Sequence, residues 1–242
     1  MIISHRHRYL FIELPRTGST AIRRELRANY DGTPILHKHA TYEEFLKQAT
    51  EDEKTYFVFS GIRNPMDAAV SLYFKLKTDH NQRMTDPGRR PKHKPILNRI
   101  LHRVKFGFLR RTDADFATYF MRYYVLPHDT FASLSHHRLD YVIRFEQLAD
   151  GFAEALGKIG IEPVRPLPAA NTTASRSRDW REYYPPRTWK RARRVFGPYM
   201  ARWGYEFPAE WHVGEPTAFE RAGYAVFSFF AKLYWRFIRP VT

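Results

Sequence analysis

The residues with the clearest capacity for chemistry lie in the run Pro15-Arg-Thr-Gly-Ser-Thr20, between an apolar segment and a helical pattern. Gly18 lets the backbone turn back without a Cβ clash, and the first turn of the helix leaves N–H groups without intrahelical acceptors. Ser19 and Thr20 add hydroxyl donors, and Arg16 adds a fixed positive charge. Such a turn is typical of a site for a phosphate or another anion.

This run differs from the loop of ordinary ATPases and GTPases, which reads G-x-x-x-x-G-K-[ST]. Glu13 stands at the first glycine position, and Ser19 stands where that loop has its lysine. The sequence therefore predicts a phosphate loop of another class.

A second candidate anion site begins at Arg63, directly after the apolar segment 55–62, and extends to Ser71. A guanidinium at the end of a strand and a hydroxyl on the following helix suit a second phosphoryl group. Taken alone, the run is as typical of a helix cap, with Asp67 near the positive end of the helix. Its combination with the 16–20 loop favours a ligand with two separated phosphates.

Three stretches resemble the sulfotransferases that use 3′-phosphoadenosine 5′-phosphosulfate (PAPS), and are closest in pattern to the carbohydrate (glycan O-) sulfotransferases and their bacterial relatives. Pro15–Thr20 is similar to P-[KR]-x-G-[ST]-[ST], and Arg63–Ser71 is similar to R-[ND]-P-x-[DE]-x-x-x-S. Val142–Leu148 looks like the R-[YF]-E-[DQE]-L element of that family. Weaker similarity continues through Asn171–Arg176 and Phe196–Phe207, so the resemblance covers roughly residues 8–208.

The resemblance implies a P-loop-like sulfotransferase fold, with the first signature on the 5′-phosphosulfate and the second on the 3′-phosphate. The donor-binding residues implied in this way are Arg16, Thr17, Gly18, Ser19, Thr20, Arg63, Ser71 and Arg176. No metal is expected, because positioning and cationic stabilisation can supply most of the catalysis of such a transfer.

Position 16 departs from the usual pattern of this family. Lysine is more frequent there, where it contacts the bridging oxygen and protonates or stabilises the leaving phosphate. Arginine neutralises charge well but, with a pKa above about 12, is a poor proton donor. We therefore expect Arg16 to act by electrostatic stabilisation.

Candidates for the base that deprotonates the acceptor hydroxyl lie in the run His37-Lys-His-Ala-Thr41. The run is similar to the His-x-His segment that carries the base in glycan 2-O-sulfotransferases, and to a K-H-A-T run in bacterial relatives. An imidazole, with an ordinary pKa near about 6.5, is suited to taking a proton at neutral pH. We expect His39 as the base and His37 as the second candidate. The alternative is a solvent-exposed entrance to the next helix.

Strand and helix patterns alternate along the chain, which predicts an α/β fold with a central parallel, doubly wound β-sheet flanked by helices. We expect one domain over residues 1–212 and a helical tail over 213–242. The predicted strands are 9–14, 55–62 and 139–145, and the predicted helices are 20–29, 41–48, 65–77, 96–104, one after the cap at 112–115, 146–159 and 186–203.

Forty Lys and Arg against 25 Asp and Glu give a net charge of +15, which favours anionic partners. The basic run 75–111 predicts a solvated loop, an acceptor platform or a lid over the nucleotide. No nucleic-acid partner is expected, because no RNA- or DNA-binding module is recognisable. The start of the chain has no apolar h-region, so the expected location is cytoplasmic, with peripheral contact at the inner membrane face as an option.

The tail from Ala218 to Arg239 predicts an amphipathic helix with a cationic stripe opposite an aromatic face. Its uncharged stretch, 222–231, is about 15 Å long as a helix and too short for a bilayer core of about 30 Å. Two alternatives remain: a helix docked on its own domain or on a second copy in a homodimer, and an interfacial helix on the membrane beside a lipid-linked acceptor.

The sequence as a whole predicts an enzyme, an O-sulfotransferase that moves a sulfuryl group from PAPS to a hydroxyl on a carbohydrate or glycolipid. One alternative is a nucleotide or small-molecule kinase with a degenerate loop, which would need ATP and a divalent metal. The other alternative is a catalytically inactive nucleotide- or glycan-binding module. It remains an alternative because position 16 has arginine in place of the more frequent lysine.

Overall fold

The structure, a computed structural model, describes residues 1–82, 84–86, 88, 96–130, 135, 138–168 and 179–237. They form two compact units, one from Met1–Asn64 and Thr130–Thr172 and the other from Pro65–Asp129 and Thr173–Thr242. The division into residues 1–212 and 213–242 stays a prediction. Among the described helices, none combines the length and apolar character needed to cross a bilayer.

The first unit contains a five-stranded mixed sheet, which makes the chain an α/β protein. Its strands are β1 (Ile2–Ser4), β2 (Tyr9–Ile12), β3 (Thr33–Pro34), β4 (Phe57–Ile62) and β5 (Tyr141–Arg144), in the order β3-β1-β2-β4-β5. β2, β4 and β5 are parallel to one another, and β1 is antiparallel to both β2 and β3.

The parallel centre of the sheet is confirmed, and β1 and β3 make the sheet as a whole mixed. β1 pairs with β2 through the short turn at residues 5–8, and β3 adds two residues at the edge. Both strands are too short to show an alternating apolar pattern, and Pro34 is a residue that sheets accept at an edge. Local sequence therefore could not reveal this half of the sheet.

Helices α1 (Ser19–Asn29) and α2 (Tyr42–Leu46) lie in the first unit. α1 buries Ile22 and Leu26, which lie one turn apart, in a core that also contains aromatic side chains of β2 and β4. α2 begins with the predicted capping box, in which the Thr41 hydroxyl accepts from the Glu44 amide and the Glu44 carboxylate accepts from the Thr41 amide.

The second unit is helical and has an aromatic core. In it, α3 (Pro65–Lys77) and α4 (Ile96–Thr112) precede α5 (Phe116–Tyr123), which Asp115 caps. The remaining helices are α6 (Leu148–Lys158), which returns to the first unit and packs on its core, then α7 (Pro186–Trp203) and α8 (Ala218–Phe237) in the second unit. α4 is longer than the predicted 96–104 because its last turns place Phe108 and Leu109 in the core.

Candidate functional site

The candidate site lies at one edge of the sheet, where the three parallel strands end. Ile12 of β2 pairs with Ser60, and Ile62 of β4 pairs with Arg144 at the end of β5. The segments that follow these strands therefore leave the sheet at the same edge, which is the usual ligand-binding edge of parallel sheets.

The loop at residues 15–20 has an alternating backbone. Arg16 and Gly18 are left-handed, with φ of 70° and 74°, Thr17 between them is not, and Ser19 begins α1. Successive N–H groups in such an alternation form a concave nest for an anion. The nest here adjoins the N-terminus of an 11-residue helix, which favours negative charge as well.

The loop hydroxyls divide into two kinds. The buried Thr17 and Ser19 hydroxyls both donate to the Leu14 carbonyl, at 3.0 and 2.9 Å, so they hold the turn together. The Thr20 hydroxyl is half-exposed and accepts a hydrogen bond from the Lys38 ammonium at 3.2 Å. What the loop offers an anion is therefore chiefly backbone N–H groups, the Thr20 hydroxyl and nearby cations.

The start of the second signature contacts both the first and the third. The Arg63 guanidinium lies 4.0 Å from the centroid of the Phe145 ring and donates to the Arg16 carbonyl at 3.4 Å. The Asn64 amide donates to the Glu146 carboxylate at 2.7 Å. The structure thus brings Arg63 and Asn64, the start of the second stretch, together with the first and third stretches.

For two predicted donor residues, Ser71 and Arg176, donor binding stays a prediction. Ser71 is on α3 in the second unit and is 1% exposed, so its contribution to a phosphate beside Arg63 stays a prediction. Arg176 lies outside the described residues.

His39 lies in the segment between β3 and α2, beside the end of β2. Its Nδ1 is 2.8 Å from the Glu13 carbonyl oxygen, which can only accept, so Nδ1 carries the hydrogen. In the neutral ring the lone pair is then on Nε2, which is the nitrogen able to take a proton. The backbone of β2 in this way fixes the tautomer of His39.

His37 has a different set of contacts. Its Nε2 donates to the Glu44 carboxylate at 3.2 Å, and Glu44 also caps α2. Burial raises the pKa of Glu44, but the hydrogen bonds from Thr41 and His37 outweigh it, so the pKa lies below its usual value. Glu44 is therefore an ionised partner that holds His37 at the helix entrance.

Lys38 is a candidate that sequence reasoning missed. Its ammonium lies beside Thr20 at the mouth of the loop, and its side chain is exposed. The signal was its position between His37 and His39, in the run that the sequence had already singled out.

Glu13, at the end of β2, is fully buried under the site. Its carboxylate pairs with Arg23 of α1 and, at 3.0 Å, with the α-amino group of Met1. Burial lowers the pKa of that amine, although Glu13 opposes the shift. These two cations compensate a negative charge that would otherwise repel an anion in the loop.

Gly18 provides a test of the loop geometry. Gly18→Ala should lower the free energy of unfolding by about 1–2 kcal/mol, because alanine is strained in the left-handed region. Its Cβ would also lie 2.4 Å from Leu148 Cδ2. Gly157→Ala is the control, since nothing lies within 4 Å of that Cβ in helix α6, and it should stabilise by about 0.5–1 kcal/mol. Urea unfolding measures both changes, and equal stability of Gly18→Ala and the unaltered chain would contradict this geometry.

The site thus combines an anion nest, cations and an imidazole whose tautomer is fixed. Within the described ranges, no group of three or more His, Asp or Glu is arranged to hold a metal ion. The chain was compared with models of known protein families, with curated proteins and with solved structures, and none of them matches it.

Proposed function

We propose that this protein is an O-sulfotransferase that moves a sulfuryl group from PAPS to a hydroxyl of a carbohydrate or glycolipid. The observation that carries the proposal is the alternating backbone of residues 16–19 at the start of α1. It supplies the amide nest and helix terminus that a phosphosulfate requires.

The charges around the nest fit a donor with several negative groups. Arg16 and Lys38 adjoin the loop, and Arg63 is held against it by the Phe145 ring and the Arg16 carbonyl. The contact with the ring orients the guanidinium, whose planar fork of N–H groups matches the geometry of a phosphate. We assign Arg63 to the 3′-phosphate and the nest to the phosphosulfate.

His39 is assigned as the base, because its Nδ1–H is held by the Glu13 carbonyl and its Nε2 can take the proton. In the reaction the acceptor oxygen bonds to sulfur, and the bond from sulfur to the bridging oxygen breaks. The acceptor proton goes to His39, and 3′-phosphoadenosine 5′-phosphate leaves. His37 is assigned to positioning, since Glu44 already accepts from its Nε2.

Lys38 is assigned to the leaving phosphate. An ammonium beside Thr20 can neutralise charge and can also donate a proton. Arg16 neutralises charge as well, but it is a poor proton donor. In the pattern that this chain resembles, one lysine both stabilises and protonates the leaving phosphate. Here we assign charge stabilisation to Arg16 and proton donation to Lys38.

Donor binding tests the proposal directly. The product nucleotide, with its 3′-phosphate, should raise the melting temperature of the protein by mass action, and AMP should raise it far less. Arg63→Ala should weaken binding of the product by about 2–4 kcal/mol, because a charged hydrogen-bond partner is lost. Arg24→Ala, on the exposed side of α1, removes the same charge and should bind as before.

Turnover tests the activity itself. Transfer of radiolabelled sulfate from PAPS to members of a panel of glycans and glycolipids is the expected result. Equal stabilisation by ATP and the bisphosphate, with transfer dependent on ATP and a divalent metal, would replace the proposal with a kinase. Tight binding of PAPS without transfer to any acceptor would instead identify an inactive binding module.

A further inference from the structure

Helix α8 has two distinct faces, and the protein covers one of them. Tyr224 and Ser228, one turn apart, are buried against α7, and Glu220 pairs with Arg193 of α7 at 3.2 Å. The helix is therefore fixed to its own unit by one side.

The other face is exposed and strongly apolar. Phe219, Val226, Phe230 and Leu233 follow at spacings of seven, four and three, which places them in one row along the helix. Phe219 is 87% exposed and Phe230 is 62% exposed, and Phe229 borders the row. Four large apolar side chains in a row over about 20 Å of helix exceed what scattered surface residues normally form.

The charge of the helix favours one kind of occupant. α8 contains Arg221, Lys232 and Arg236 but only one acid, Glu220. Glu220 pairs with Arg193, and Arg221 pairs with Glu215 at 3.4 Å, while Lys232 and Arg236 follow toward the C-terminal end of the helix. A second copy of the chain would carry the same cations and the same net charge of +15, so the two copies would repel each other electrostatically. An anionic lipid surface suits the apolar row, and it attracts the basic residues that the helix carries.

We propose that the outward face of α8 binds an anionic membrane surface, with the helix lying in the interface and its phenylalanines among the lipid headgroups and upper acyl chains. The contact with α7 then keeps the second unit against the membrane. The proposal stands independently of the proposed chemistry, because it uses no residue of the sheet edge.

The test is sedimentation of the full chain with vesicles. We expect binding to phosphatidylcholine vesicles that contain phosphatidylserine, weak binding to phosphatidylcholine alone, and a decrease in high salt. The double variant Phe229→Ser and Phe230→Ser should bind at least about tenfold more weakly, because the apolar contribution is lost. Lys232→Glu should weaken binding to the anionic vesicles only.

The matched control is the double variant Val125→Ser and Leu126→Ser, which changes two adjacent exposed apolar residues elsewhere in the second unit. It should bind vesicles like the unaltered chain. Melting temperatures verify that all variants are folded. Unchanged vesicle binding of the folded phenylalanine variant would overturn the proposal. So would a dimer, seen in analytical ultracentrifugation, that the same variant dissociates, since the face would then be an interface between copies.

Discussion

Replacing His39 with alanine should lower kcat by roughly 10²- to 10⁴-fold, while affinity for the donor stays within about twofold. The reason is that we assign His39 to receive the proton of the acceptor hydroxyl. The Glu13 carbonyl orients the ring by accepting a hydrogen bond from Nδ1. Single-turnover rates and the dissociation constant of the product nucleotide, measured on the same preparation, separate the two quantities.

His37→Ala is the matched control, because it removes an imidazole two positions away. The variant loses the hydrogen bond that His37 Nε2 donates to the Glu44 carboxylate, so we expect a loss of stability of about 1 kcal/mol with little change in kcat. If His39→Ala weakens donor binding in parallel with kcat, His39 is a nucleotide contact and its assignment as base is wrong. If His37→Ala alone abolishes turnover, the base is His37.

Replacing Lys38 with methionine should lower kcat by about 10²- to 10³-fold, which is the usual effect of removing one preorganised donor to developing charge. Methionine keeps most of the apolar stem but removes the ammonium beside Thr20. Lys38→Arg separates the effect of charge from that of proton transfer. It should recover part of the rate if catalysis needs only a positive charge at this position, and little of it if catalysis needs a proton donor.

Two variants complete this test. Lys47→Met removes the same charge from an exposed position at the end of α2 and should leave the rate unchanged. Arg16→Lys should retain or raise activity, because lysine stabilises the leaving phosphate and also donates a proton. Full activity of Lys38→Met would remove Lys38 from the mechanism, and a folded but inactive Arg16→Lys would overturn the assignment of position 16.

Local signals predicted the elements that carry the site. Pro65 at the first turn fixed the start of α3, Thr41 and Glu44 fixed the start of α2, and Gly18 marked the turn into α1. Each signal works within a few residues, because a cap or a left-handed glycine satisfies or bends the adjacent backbone. The motif at 16–20 and the histidine run were found for the same reason.

Only the tertiary structure decided how these pieces meet. β1 and β3 have almost no local signal, yet β3 delivers residues 37–39 to the edge where β2 ends. Strand pairing joins residues far apart in the chain, and two or three residues carry no periodicity that would reveal it.

The same separation explains the site contacts that sequence reasoning missed. Arg63 and Phe145 are distant in the chain, as are Lys38 and Thr20, and each pair becomes adjacent only through the sheet. On α8, the sequence by itself determined an amphipathic helix with an aromatic face. Packing on α7 decided which aromatic residues are covered and which remain outside, because a helix with apolar residues on two sides can bury only the side that finds a partner.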